Sequence, residues 1–278
     1  MISVGWTVLV HSRPRFWLYL GGTAAIGAIY GAHHYSAITD PLVVSVLIFF
    51  LLPANVFLYG VNDIFDRQID RLNPKKFDQE RRYTGELVVP IAVILCGILG
   101  LGLAVLMPPV AAVWLVVFLL LAVAYSAPPV RFKTRPFLDS MSNGLYVIPG
   151  IVTYLLVADV YPPIPILIGA WLWTMAMHTF SAIPDIQADS TAGINTLATT
   201  LGERWALGYC FLCWLCAAIA FATVDVRLGS ALAIYPLIPT GLLVGFSSIR
   251  RVYWWFPWLN AGVGMVLTVG GLWVLFHD

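Results

Sequence analysis

Charged residues are scarce in this sequence of 278 residues: only 10% are Asp, Glu, Lys or Arg, whereas 60% are hydrophobic. Ordinary globular domains carry about 25% charged residues, so this composition excludes a soluble fold. The 15 Lys and Arg nearly balance the 14 Asp and Glu, for a formal net charge of +1. This balance gives no indication of a nucleic-acid partner, and it makes the lipid bilayer the solvent to consider.

Cysteine is also rare, and the residues present (Cys96, Cys210, Cys213 and Cys216) all lie inside apolar runs. A thiol in such a run usually packs as a small hydrophobic side chain. No disulfide framework is implied. The last three cysteines repeat every three residues, and we interpret them as a packing stripe because no His or carboxylate lies near them in the sequence.

Long apolar runs, in contrast, are abundant. Because a helix needs about 20 apolar residues to cross a bilayer core about 30 Å thick, the sequence predicts an all-α integral membrane protein with nine transmembrane helices. The predicted spans are 14–34, 41–61, 87–107, 109–126, 141–158, 162–183, 204–224, 230–249 and 255–276. We expect them to form a single transmembrane domain over residues 1–278.

The distribution of Lys and Arg over the predicted loops gives the orientation. Nine spans place alternate loops on opposite faces, and with this count every basic residue except Arg227 lies on one face. By the positive-inside rule that face is cytoplasmic, which puts the N-terminus in the cytoplasm. We therefore expect a multi-pass protein of the cell membrane, with its active site towards the cytoplasm.

Most carboxylates lie on this same face, in two clusters. After the second span, Asp63, Asp66 and Asp70 fall within an arc of about 60° on a helix that turns about 100° per residue. After the sixth span, Asp185 and Asp189 are four residues apart and again share a helix face. If the second and sixth helices are neighbours, all these carboxylates converge on one site.

Stacked acids need a compensating cation or exposure to water, and solvated loop acids are the ordinary alternative. Neither cluster has the spacing of an EF-hand loop, which disfavours calcium. Magnesium fits better, because it takes one or two carboxylates plus water and substrate phosphates. Basic residues in the adjoining loops can neutralise a diphosphate. Any one of them is equally well explained by the positive-inside rule, which places Lys and Arg in cytoplasmic loops without a ligand. They are Lys75, Lys76, Arg81, Arg82, Arg131, Lys133 and Arg135.

The segment from Asn62 to Asp70 resembles the N-D-x-x-D-x-x-x-D motif of the UbiA-type intramembrane prenyltransferases. Asp185 to Asp189 resembles the second D-x-x-x-D motif of that superfamily, and Gly193 to Leu197 continues the likeness. The resemblance extends from about residue 14 to residue 276. It implies a single UbiA-like helical bundle with both motifs facing the cytoplasm.

Within that superfamily, the sequences from Tyr125 to Lys133, from Arg135 to Gly144 and from His178 to Asp185 look most like the lycopene elongases of C50 carotenoid biosynthesis. Chlorophyll synthases share the Tyr-Ser-Ala-Pro-Pro part, so that part alone does not decide. Quinone-type enzymes often have a basic residue where Asn195 stands and an Arg where Asn55 stands. These departures argue against a quinone-precursor acceptor.

The resemblance implies dimethylallyl diphosphate as the donor, lycopene as the acceptor and Mg²⁺ as the cofactor. The metal ligands that it implies are Asn62, Asp63, Asp66, Asp70, Asp185 and Asp189. Diphosphate binding falls to Asn62, Arg82, Arg131 and Lys133, and the catalytic set is Asp66, Asp70, Asp185, Asp189 and Tyr125. The products are C45 and C50 carotenoids, and the sequence leaves open whether water addition or proton loss ends the reaction.

Two of these side chains have a second interpretation. Tyr125 lies at the end of a span, where it is equally well explained as an aromatic anchor at the membrane interface. His178 lies well inside the sixth predicted span, and ionisable residues there are candidates for a functional pocket.

Other functions remain open at this point. A prenyltransferase of the same type could use a longer donor or another apolar acceptor, such as a chlorophyll-type alcohol or a glycerol phosphate ether. A transporter would place its acids near the bilayer midplane within inverted repeats, and no such repeat is visible. A structural or pigment-holding protein would tolerate loss of the acids. Association with other carotenoid enzymes is a further expectation.

Overall fold

The computed structural model describes residues 4–67 and 83–277, and every regular element in these residues is a helix. The all-α fold class is thereby confirmed. The helices are α1 (Val4–His11), α2 (Trp17–Gly31), α3 (Tyr35–Ile38), α4 (Pro41–Leu51), α5 (Pro53–Asp66), α6 (Val88–Leu106), α7 (Pro109–Ser126), α8 (Leu138–Met141), α9 (Ile148–Ala158), α10 (Ile164–Ala182), α11 (Ile186–Thr191), α12 (Leu197–Ala222), α13 (Val226–Leu232), α14 (Ile234–Leu243) and α15 (Ile249–His277). Short 3₁₀ turns lie at Pro14–Phe16, Phe132–Thr134, Ser142–Tyr146 and Ile183–Asp185.

Within the described residues, 8 helical stretches are long and apolar enough to cross a membrane. They are Pro41–Asp66, Val88–Leu106, Pro109–Ser126, Leu138–Ala158, Ile164–Thr191, Leu197–Ala222, Val226–Leu243 and Ile249–His277. The first predicted span corresponds to α2, which has only 15 residues. At a rise of about 1.5 Å per residue, α2 falls short of the bilayer core. Nine spans and a cytoplasmic N-terminus therefore stay predictions.

The chain groups into two compact units. The first comprises Met1–Arg131, Ile148–Tyr161 and Val274–Asp278, and the second comprises Phe132–Val147 and Pro162–Trp273. A single domain over residues 1–278 stays a prediction.

In the first unit, a break separates α4 from α5, because Pro53 has no N–H to continue the helix. At this break, Asn55 Nδ2 donates to the carbonyl oxygens of Phe50 and Leu51, each at 3.0 Å. Asn55, which stands where quinone-type enzymes often have Arg, is fully buried at this break. Its amide therefore serves the backbone of the span that carries the first acidic motif.

The helices α2 and α9 of the first unit approach closely because Gly27 faces Gly150 at their contact. The hydroxyl of Thr153 donates across the same contact to Ala24 O at 2.7 Å. Small residues and an interhelical hydroxyl bond are the usual means by which membrane helices associate. The predicted division between the third and fourth spans is confirmed, since α6 ends at Leu106 and α7 begins at Pro109.

In the second unit, α10 packs along α12. Buried rings fill this part of the unit, with Phe180 and Phe256 centroids 4.9 Å apart and Trp214 and Tyr235 centroids 5.6 Å apart. α12 begins at Leu197, earlier than the predicted residue 204, but its helical dihedral angles are interrupted at Gly202.

The cysteine stripe on α12 only partly follows the prediction. Cys210 and Cys213 are buried, and Cys210 Sγ contacts Ala176 O at 3.4 Å, as expected for packing residues. Cys216 is exposed, so the predicted stripe contributes two of its three thiols to the core of this unit.

Candidate functional site

The first acidic motif lies at the end of α5, in the first unit. Asp66 is the last residue of this helix, and its Oδ1 accepts a hydrogen bond from Arg131 Nη2 at 2.9 Å. Arg131 follows α7 and has a left-handed backbone conformation, with φ of 42°. Its N–H closes a turn onto Ala127 O at 2.9 Å, which brings the side chain back towards α5. A predicted metal ligand and a predicted diphosphate ligand are therefore adjacent.

Asn62, the first residue of the motif, is in contact with α7. Ser126 Oγ, at the end of that helix, donates to Asn62 Oδ1 at 3.1 Å. Ser126 is fully buried and Asn62 is partly buried, so this bond lies at the edge of the packed interior. The end of α7 thus contacts the motif at two points, through Ser126 and Arg131. The sequence analysis did not single out Ser126, although it lies within the Tyr-Ser-Ala-Pro-Pro element that was quoted.

Asp63 has different surroundings from Asp66. Its Oδ2 accepts a hydrogen bond from His11 Nδ1 and its Oδ1 accepts one from Arg13 Nη2, each at 2.8 Å. The side chain is only 1% exposed. The compensating cations expected from the sequence are therefore Arg13 for Asp63 and Arg131 for Asp66. Sequence reasoning missed His11 and treated Arg13 only as a marker of orientation.

Several predicted residues lie outside the described part of the chain. They are Asp70, Lys75, Lys76, Arg81 and Arg82. The described residues on either side of this gap are in contact, since Arg67 Nη2 donates to Thr84 O at 2.6 Å. The guanidinium of Arg67 also lies 5.8 Å from the ring centroid of Tyr83.

The second acidic motif lies in the second unit. Asp185 ends the 3₁₀ turn Ile183–Asp185, and Asp189 lies one helical turn later in α11. Both side chains are partly buried. The chain then turns back, because Ile194 N–H bonds Asp189 O at 2.9 Å and Gly193 supplies a φ of 68°. Their convergence with the first motif stays a prediction.

Asp139 is a buried carboxylate that contacts residues on both sides of the second motif. The sequence analysis did not select it. Asp139, at the start of α8, is 0% exposed, and its Oδ2 accepts a hydrogen bond from Leu197 N–H at 2.8 Å. His178 Nε2 lies 3.5 Å from the same oxygen. Asp139 thus connects the residues that precede and follow the motif, His178 on α10 and Leu197 on α12. The signal available in the sequence was an acid within the stretch from Arg135 to Gly144 that resembles the lycopene elongases.

The remaining predicted residues are placed as follows. Tyr125 is partly buried near the end of α7, and Lys133 is partly buried in the 3₁₀ turn Phe132–Thr134. Within residues 4–67 and 83–277, no group of three or more His, Cys, Asp or Glu side chains is arranged to hold a metal ion. The described acids of the two motifs are Asp63 and Asp66 in the first and Asp185 and Asp189 in the second.

Comparison with known sequences shows the family of this chain. The sequence profile described as the UbiA prenyltransferase family matches residues 20–260. A protein of Haloferax volcanii named lycopene elongase/hydratase is 52% identical over 268 residues, which are 96% of this chain and 89% of the relative. A protein of the same name from Halobacterium salinarum is 48% identical over 97% of this chain and 98% of its own length.

Among solved structures, a UbiA homolog from Archaeoglobus fulgidus bound to DMAPP and Mg²⁺ has a TM-score of 0.75 to this chain. The alignment covers 98% of this chain and 99% of the homolog at 21% sequence identity. At this level of identity the likeness establishes the fold, and the ligands are those of the homolog.

Proposed function

The chain belongs to the UbiA prenyltransferase family and is a prenyltransferase, and we propose that it transfers dimethylallyl groups from dimethylallyl diphosphate to the ends of lycopene. The observation that carries this proposal is the pairing of Asp66 with Arg131 at 2.9 Å, in a chain about half identical to relatives named lycopene elongase/hydratase. The chain is also a multi-pass membrane protein. We place it in the cell membrane with the two motifs towards the cytoplasm.

The side chains present fit magnesium. The amide oxygen of Asn62 and the carboxylates of Asp66, Asp185 and Asp189 are hard oxygen donors, which this ion prefers. Magnesium usually takes only one or two carboxylates from the protein and completes its shell with water and substrate phosphates, so paired acids suit it better than a closed cage. We propose these residues and Asp70 as its ligands. When bound, the ion would neutralise the diphosphate and stabilise it as a leaving group.

Departure of the diphosphate is the step that the basic residues favour. The bond between C1 of the donor and oxygen breaks with both electrons staying on the diphosphate, and an allylic cation remains. Arg131 donates charge-assisted hydrogen bonds to the oxygens on which negative charge develops. A guanidinium has five donors, so it can bond phosphate while it keeps its bond to Asp66. Arg82 and Lys133 add positive charge in the same role, and Tyr125 polarises the cation region.

The terminal double bond of lycopene then attacks C1 of the allylic cation. A carbon–carbon bond forms, and a tertiary cation is left on the acceptor. The relatives are named as hydratases as well as elongases, so we propose that water adds to this cation and loses a proton. Water must be kept from the first cation, because its capture there would only hydrolyse the donor. We propose that an apolar chamber within the membrane provides that exclusion.

The experiment is to express the protein alone in lycopene-producing cells and to incubate their membranes with labelled dimethylallyl diphosphate and Mg²⁺. We expect hydroxylated C45 and C50 products, identified by chromatography and mass spectrometry. The variant Asp66→Asn should abolish them. The matched control is Asp225→Asn, because Asp225 is a partly exposed acid paired with Arg227 outside both motifs.

Other results would assign the protein differently. No C45 or C50 product in the presence of Mg²⁺ would refute the elongase function. Transfer only from a longer allylic diphosphate, or only to an alcohol or a glycerol phosphate ether, would show a different prenyltransferase. Equal amounts of product from Asp66→Asn and from the wild type would show that the Asp66 carboxylate is not needed for the reaction.

A further inference from the structure

The amino-terminal segment forms hydrogen bonds with Asp63 of the first acidic motif. His11 is the last residue of α1, and Arg13 lies just beyond that helix. The two hydrogen bonds to Asp63 are both 2.8 Å long, and together they engage both carboxylate oxygens. The side chains of His11 and Asp63 are 2% and 1% exposed. We call His11, Arg13 and Asp63 the amino-terminal anchor.

The backbone conformation of Arg13 and its contact with an aromatic ring orient its side chain towards Asp63. Its φ of 52° lies in the left-handed region, which a non-glycine residue seldom adopts. Its guanidinium lies 4.9 Å from the ring centroid of Tyr59, which is one turn before Asp63 on α5. Cation–π contact and ion pairing therefore hold the arginine along the same helix.

The anchor also reaches the chain that follows the motif. The ring of His11 packs edge-on against Tyr83, with centroids 6.1 Å apart. Tyr83 in turn lies beneath Arg67, the residue that follows Asp66. The amino-terminal segment therefore contacts α5 and Tyr83, and Tyr83 in turn contacts Arg67.

This arrangement gives Asp63 a different role from Asp66. Each Asp63 oxygen already accepts a hydrogen bond, and the side chain is 1% exposed beside Arg13. A metal ion there would compete with Arg13 for a carboxylate that is already neutralised and out of contact with water. Breaking one side of a buried ion pair is strongly destabilising. Asp63 nevertheless lies one residue after Asn62 and three residues before Asp66, so fixing it fixes the part of α5 that carries them.

We propose that Asp63 is a positioning residue rather than a metal ligand, and that His11 and Arg13 hold the donor-binding end of α5 in place through it. This inference rests on the proposed function for the identity of the donor. It assigns the amino-terminal segment, which precedes the match to the family profile at residue 20, to the prenyl-transfer site.

The test is a double-mutant cycle with Arg13→Gln, Asp63→Asn and their combination. In each protein we would measure the melting temperature in detergent and the KM for dimethylallyl diphosphate at saturating Mg²⁺. If the anchor exists, the double variant should match Asp63→Asn within about twofold in kcat/KM, because the partner is already lost. The KM of each variant should rise about tenfold, since the groups that bind the donor lose their placement.

Matched variants separate positioning from general damage. Arg15→Gln removes a like charge from the same segment, at a residue whose guanidinium lies over Phe16, and should leave KM unchanged. Arg13→Lys keeps the charge and should restore part of the loss. If Asp63→Asn does not fold, His11→Ala and Arg13→Gln are measured singly, and each should raise the KM and lower the melting temperature, because each leaves one Asp63 oxygen without its donor.

Each alternative outcome contradicts the proposal in a different way. Additive losses in melting temperature would show that there is no anchor. Coupled melting temperatures with an unchanged KM would leave a purely structural contact and overturn the positioning role. Additive losses in kcat/KM, with Asp63→Asn as inactive as Asp66→Asn, would make Asp63 a metal ligand.

Failure of the proposed function would be recognised separately. The wild type would then form no product from dimethylallyl diphosphate and lycopene, whereas the melting-temperature cycle would still decide whether the anchor exists. Stabilisation by Mg²⁺ with inorganic pyrophosphate would decide the positioning role in that case. Loss of this stabilisation in Arg13→Gln would support the role, and its retention would overturn it.

Discussion

Arg131 Nη2 lies 2.9 Å from Asp66 Oδ1, so a base that follows α7 is paired with the last acid of α5. Their side chains are 25% and 13% exposed, which leaves the pair accessible. An arginine in this position neutralises the motif and still has donors for a phosphate group. The contact therefore connects the two halves of the proposed chemistry, metal binding and departure of the diphosphate, within one unit.

The first prediction concerns the geometry of Arg131. Arg131→Lys keeps the charge but loses the planar fork, so it should raise the KM for dimethylallyl diphosphate about tenfold, the effect of roughly one strong hydrogen bond. Initial rates over a range of donor concentrations would measure it. Arg204→Lys, at an exposed position on α12, is the matched control and should have no effect. Equal KM values for both variants would mean that Arg131 does not contact the donor.

The second prediction concerns the bond between Ser126 and Asn62. Ser126→Ala removes a buried donor and leaves Asn62 Oδ1 without it, which should lower kcat/KM about tenfold, or about 1.4 kcal/mol. Ser45→Ala is a suitable control, since Ser45 Oγ donates only to Pro41 O within its own helix turn. Undiminished activity of Ser126→Ala would show that the orientation of Asn62 does not depend on α7.

The transmembrane helices could be predicted from sequence because each one depends on a local property. An apolar run of sufficient length forms a helix in a bilayer, where every backbone group must be satisfied internally. Prolines mark breaks, as at Pro109, where α7 begins. The need for a cation near the acids was also predictable, since like charges on one helix face repel. The identity of those cations was not predictable, because Arg131 and Asp66 are 65 residues apart.

Which acids are buried could not be predicted from the sequence. Asp63 and Asp66 look equivalent in a helical projection, yet Asp63 is 1% exposed between His11 and Arg13. His11 lies before the first predicted span, where a sequence pattern gives no partner. Asp139 looks like one more loop acid, but it is fully buried and bonds Leu197 N–H, 58 residues away. These roles depend on tertiary contacts.

The third prediction follows from the position of Asp139. Asp139→Ala leaves Leu197 N–H buried without its acceptor and should lower the free energy of unfolding by about 1–3 kcal/mol. Asp139→Asn keeps an acceptor oxygen and should cost less. Thermal unfolding in detergent would measure both, with Asp159→Asn as the control because Asp159 is an exposed acid between helices. If Asp139→Ala melts at the wild-type temperature, Asp139 does not hold the start of α12.

The last prediction concerns the contact between α2 and α9. A Cβ atom at Gly27 would overlap Gly150 O and would lie 2.5 Å from Thr153 Oγ1 and 2.7 Å from Gly150 Cα. Two of these three atoms belong to backbone, so the overlap cannot be relieved by turning a side chain. Gly27→Ala should therefore force the helices apart and destabilise the protein by about 1–3 kcal/mol.

Gly22→Ala, on the same helix, is expected not to destabilise the protein. A Cβ there would lie 3.7 Å from Leu18 Cβ, an ordinary contact. Alanine also restricts the unfolded chain and favours the helix, so this variant should be neutral or more stable by up to about 1 kcal/mol. Unfolding of both variants in mixed micelles would compare them directly. Equal stabilities would show that α2 does not pack on α9 through Gly27, because helix propensity alone cannot give the two substitutions opposite signs.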